Sequence, residues 1–105
     1  MFQPGYSHPM KAYHRTDASG AIMAAGFRDS VGYYMTSSRH RGVWVSDQPL
    51  DANEGASGNA LVAVALPEDV FARYEWVQTP GFGYREALVP ARILNRYHRR
   101  LVKEP

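Results

Sequence analysis

The sequence predicts a small α+β domain, a mixed and mostly antiparallel sheet with one main helix and short helical caps. Three observations carry that prediction. Short β-branched or alternating runs outnumber helical ones, and turn residues separate them closely. One segment, 18–25, combines a buried helical stripe with a glycine stop. A chain of 105 residues, 45% hydrophobic and 21% charged, supports one core of ordinary globular composition. The domain is read as 11–101, with 1–10 a flexible arm and 102–105 a tail.

Lys11 to Thr16 reads as a strand that puts Ala12 and His14 on one face and Tyr13 and Arg15 on the other. Thr16 or Asp17 supplies a capping oxygen for a helix from Ala18 to Ala25, in which Ala21, Ile22 and Ala25 form the stripe. Gly26 ends it, and Phe27 returns to the core. Val31 to Thr36 reads as a brief strand within a connection that also carries Arg39, His40 and Arg41. Gly42 to Asp47 is the clearest strand, with Val43 and Val45 facing the core and Trp44 and Ser46 opposite.

A polar, glycine-rich stretch follows, read as no more than a helical turn around Leu50 to Gly55. Ala60 to Leu66 is a continuous apolar run, expected as a central strand buried on both faces. Glu68 to Ala72 reads as a turn of helix, Arg73 to Gln78 as a strand, Thr79 to Gly83 as a turn, and Tyr84 to Val89 as the last strand. Ile93, Leu94, Tyr97 and Leu101 then repeat at helical spacing, which predicts an amphipathic helix over Ala91 to Leu101.

Composition narrows the chemistry. There is no cysteine, so disulfides and thiolate metal sites are excluded, and the reading is cytoplasmic, or delivery into a target cell if the protein is a toxin. No apolar run has the ~20 residues of a membrane span. His8, His14, His40 and His98 lack metal-ligand spacing, and neither a nucleophile elbow nor a P-loop is present. The formal charge of +2 conceals a basic end: Arg92, Arg96, Arg99, Arg100 and Lys103. With Arg39 and Arg41 these could hold phosphates, or else form a solvated face. Glu86 is the most informative polar residue, because a carboxylate beside Ala87-Leu88-Val89 needs a partner if it is buried. A salt bridge with Arg85, Arg15 or Arg28 would supply one.

In order, Tyr13-His14-Arg15-Thr16, a helix ending in Gly26-Phe27, Gly42-Val43-Trp44-Val45-Ser46-Asp47, the apolar strand, and Glu86-Ala87-Leu88-Val89-Pro90 resemble the ADP-ribosyltransferase fold. The resemblance is to its His-Tyr-Glu branch, which includes diphtheria-toxin-like and poly-ADP-ribose-polymerase-like enzymes, and it covers roughly residues 11 to 97. It implies a split sheet and NAD as substrate. His14 and Glu86 would be catalytic: His14 would orient an NAD ribose, and Glu86 would contact the nicotinamide-ribose 2′-hydroxyl. Trp44 would stack on nicotinamide in the family's tyrosine position. Arg15, in place of the family's glycine, and Thr16, Ser46 and Tyr84 would be further contacts. All three main residues are expected to open into one cleft. The acceptor would be protein, nucleic acid or water, with Arg39, Arg41, Arg96, Arg99 and Arg100 as candidate contacts. The alternatives are an RNA 2′-phosphotransferase-like enzyme and a non-catalytic nucleotide- or protein-binding module on the same fold.

Overall fold

A computed structural model describes residues 9–33, 37–50, 58–76 and 83–104. In chain order the elements are β1 (Pro9–Thr16), α1 (Ser19–Ala25), β2 (Ser30–Gly32), β3 (His40–Ser46), β4 (Ala60–Pro67), α2 (Glu68–Arg73), β5 (Glu75–Trp76), β6 (Glu86–Val89), α3 (Ala91–Leu94) and β7 (Arg99–Val102). The strands lie in the order β5-β6-β3-β1-β4-β7, with β2 paired to β3, and every described pair is antiparallel. The α+β expectation therefore holds. The expected helical turn around Leu50 to Gly55 and the turn before Gly83 fall largely outside the described residues.

Alternation along the strands separates two faces. Ala12, Val43, Val45, Val62, Val64, Leu66, Ala87 and Val89 are buried on one face, joined by Ile22 and Phe27 and by Phe71, Ile93 and Leu94 of the helical segments. The other face carries Tyr13, Ser46, Glu86 and Trp76, which follow one another across β1, β3, β6 and β5. β4 is an internal strand buried on both faces as far as Val64, and Ala65 is exposed. The middle of the sheet belongs instead to β1, which is in full register with β4.

The expected helix over Ala91 to Leu101 is corrected. Helix α3 stops at Leu94, and Arg99–Val102 is a strand in register with Leu61–Val64. Without β7, the outer edge of apolar β4 would present unpaired amides and carbonyls, and that demand outweighs the helical spacing of four side chains. Two other strands begin later than expected. α2 absorbs Arg73, leaving β5 as Glu75–Trp76, and β6 begins at Glu86 rather than Tyr84.

Polar side chains stitch the helical segments to the sheet. Thr16 Oγ1 accepts from the Ala18 amide at 2.9 Å just ahead of α1, while Asp17 Oδ1 accepts from Asn59. At the far end Gly26, at φ +96, donates to Ile22, and Arg99 donates to the carbonyls of Ile22 and Met23. Asn95 then holds both backbone groups of Phe27, accepting from its N–H at 2.8 Å and donating to its carbonyl at 3.0 Å. Arg15 forms a two-pronged ion pair with Glu104 and donates to the Leu50 carbonyl.

Candidate functional site

The site begins where the sheet splits. β1 meets β3 in register at Tyr13 and Ser46, whereas β1 and β4 stay paired through Thr16. Among the described residues Tyr13–Ser46 is the one ladder pair between β1 and β3, which leaves a short opening in the ladder beside Trp44. His14 closes that opening from β1: its Nδ1 lies 2.7 Å from the Trp44 oxygen. A carbonyl can only accept, so Nδ1 carries the proton. Burial holds the His14 pKa below its ordinary value, outweighing the opposite pull of the Trp44 carbonyl. The neutral imidazole then has Nε2 as an acceptor, suited to a hydroxyl donor.

The His14 ring packs edge-on against Phe27, at 5.6 Å between centroids. Phe27 is held there by the Asn95 clamp. Beside His14 lies a cavity of about 450 Å³ walled by Thr16, Ala21, Ile22, Ala25 and Gly26, with Arg28 also on its lining. The small residues of α1 make this room. A hydroxyl-bearing apolar ligand with a negative group meets the chemistry of these walls: alanines for its body, Nε2 for a hydroxyl and a guanidinium for the charge.

On the opposite face, Trp44 packs edge-on to Trp76 at 5.1 Å, and Trp76 to His40 at 5.0 Å. Glu86 stands across β3 from Ser46 and across β5 from Trp76. It is half-buried, and that desolvation pushes its pKa up; a hydrogen bond from Tyr84 pulls the other way. A carboxylate in such a place interacts more strongly with a nearby cation than it would in water.

The four other expected positions and the basic groups sort plainly. His14, Trp44 and Glu86 come from residues far apart in sequence onto three neighbouring strands. The expectation that all three share one cleft face is corrected, because strand alternation sets Trp44, Ser46 and Glu86 on one side and His14 and Thr16 on the helix side. Thr16 and Ser46 are buried, and their hydroxyls bond local backbone, Ser46 donating to the Gln48 carbonyl at 2.6 Å. Arg15 is committed to Glu104 and Leu50. Tyr84 touches Glu86.

Arg85, a suggested partner for Glu86, instead pairs with Glu68 and Glu75, each at 2.8 Å, and lies over the Phe71 ring. Those contacts push the guanidinium pKa up and hold Glu75 below the usual carboxylate range. Among the basic residues, Arg99 serves α1, so the terminal cluster is not one continuous face. Arg39, Arg41, Arg96 and Arg100 are exposed. Trp76, His40 and Phe27 were not anticipated as neighbours of the site, and Arg28, suggested as a partner for Glu86, lines the cavity beside His14. Trp76 could have been found, since it alternates in a short strand expected beside Glu86. His40 and Phe27 depend on chain returns that no local pattern marks.

No helix among the described residues is long and apolar enough to cross a membrane. No family model matches this chain, and neither a curated protein nor a solved structure matches it.

Proposed function

We propose that this domain is an NAD-dependent ADP-ribosyltransferase-like enzyme, acting at the split between β1 and β3. The observation that carries the reading is the placement of His14. Its Nδ1 is fixed on the Trp44 carbonyl, which leaves Nε2 as the acceptor nitrogen of a ring that lines an apolar cavity. A dinucleotide passing through the split would set its adenosine end beside α1, a ribose hydroxyl on His14, and nicotinamide against Trp44. The cationic ring gains roughly 0.5–2 kcal/mol from an indole face.

The reaction follows from the charges. Breaking the bond between nicotinamide nitrogen and ribose C1′ returns the bonding pair to nicotinamide, which leaves neutral, and generates an oxocarbenium-like centre. The half-buried Glu86 carboxylate would stabilise that cation and hold the adjacent hydroxyl. Transfer to a protein or nucleic-acid nucleophile gives ADP-ribosylation, and transfer to water gives NAD hydrolysis. Either suits a toxin or effector.

The test is nicotinamide release from NAD by the purified protein, followed by chromatography. Glu86→Gln should lose about 10²–10³ in rate, as removal of one preorganised charge-stabilising group does, and His14→Ala should weaken NAD binding. Full activity in Glu86→Gln overturns the mechanism. A rise in melting temperature with NAD but no release would leave a binding module on the same scaffold.

A further inference from the structure

We infer that the cleft beside Trp76 binds single-stranded nucleic acid, stacking one unstacked base on its rings and seating the flanking phosphates on Arg41 and Arg73. This names an acceptor class for the proposed transfer. It rests on that reading for the chemistry alone, since the binding stands on the cleft itself.

The cleft has a volume of about 320 Å³ and lies where β3, α2, β5 and β6 meet. His40, Tyr74, Trp76 and Leu88 give it rings and an apolar floor, and Arg41 and Arg73, both exposed, line it as cations. Its one lining carboxylate, Glu75, is held by Arg85 at 2.8 Å, so the charge offered to a ligand is positive. Exposed Arg39 adds to it from the chain just before β3. Rings with guanidiniums are the surface that stacks a base and holds its backbone. An acidic peptide would satisfy the arginines but leave the rings unmatched. A base inside a duplex could not enter a recess of this kind without being unstacked.

Position adds a second argument. Trp76 pairs in register with Glu86, and its ring meets that of Trp44. A base or sugar seated at Trp76 therefore lies next to the proposed reacting centre, where an acceptor must be.

The experiment is fluorescence anisotropy with labelled 12-nucleotide DNA and RNA single strands, without NAD, at 50 and 200 mM salt. Leaving out NAD keeps the result readable if nicotinamide release fails. Binding should weaken with salt, and Arg41→Gln/Arg73→Gln should raise Kd at least tenfold. The same double variant should make the slope of log affinity against log salt shallower by about 1.4, for two single-strand phosphates. Trp76→Leu should weaken binding about tenfold. The DNA and RNA arms distinguish the two sugars. Absence of binding to both strands at 50 mM salt overturns the proposal. So does unchanged affinity in the double variant, or equal competition by a matched duplex or by polyglutamate.

Discussion

The two faces of this sheet use polar side chains in different ways. On the helix side, Asn95 holds Phe27, Asp29 accepts from the Ala91 amide at 2.7 Å, Arg99 covers the end of α1, and His14 covers the Trp44 carbonyl. Each satisfies backbone that no ladder reaches, and so each contributes to stability. On the other face a half-buried carboxylate stands among indole and phenol rings, and burial opposes its charge. The first arrangement specifies the fold. The second costs stability, and carboxylates kept at such a cost are found disproportionately at functional sites. His14 is the residue common to both, with one nitrogen serving the fold and the other facing a cavity.

The strongest way to break the helix side is Gly58→Ala. Gly58 sits at φ +140, and an added Cβ would stand 2.5–2.7 Å from the backbone of Thr16, which cannot yield as a side chain could. We expect a loss of at least about 2 kcal/mol in urea unfolding. Next comes Asn95→Ala, which removes both bonds to Phe27 and should cost about 1–2 kcal/mol. Because the Phe27 ring meets His14, the same variant should raise the KM for NAD.

The smallest effect has the opposite sign. Glu86 has a folded pKa above its unfolded value, so its contribution favours folding at low pH and is lost as pH rises through the folded pKa. Above that pKa the ionised group opposes folding. Glu86→Gln should therefore raise the melting temperature at pH 7–8 slightly, by less than a fully buried carboxylate would, because solvent screens the partly exposed group. The gain should shrink toward zero below about pH 4.5, where both states are protonated. Thermal melts across pH test this, and a Glu86→Gln protein less stable at pH 8 than its parent would place Glu86 with the fold-building residues instead.

Much of this was legible because alternation is a strong signal in short strands. Val43 and Val45 against Trp44 and Ser46, and Ala12 against Tyr13, predict their faces correctly, and Gly26 does end its helix. The last strand was not legible. Arg99 to Val102 carries a helix-like spacing, and what made it a strand is the open edge of β4, a property of the assembled sheet. The same holds at the site. Choosing His14, Trp44 and Glu86 needed only local patterns and their order, and these do reach neighbouring strands. That His14 faces the helices while Glu86 faces away is set by the register of Tyr13 with Ser46, which no single segment encodes. Asn95 gave no signal, since one amide after a short helix has no pattern to belong to.

The central position of β1 has a kinetic consequence. It is made before both of its neighbours, and its pairing with β4 joins Pro9 to Pro67 and Thr16 to Ala60. Closing such wide loops is costly in chain entropy until the contacts form, so a topology of this kind folds slowly for its size. As the chain emerges during synthesis, β1 waits with its edges open until β3 and β4 have followed. That interval is when the nascent protein is most exposed to wrong strand pairing, and a chaperone would act on it there.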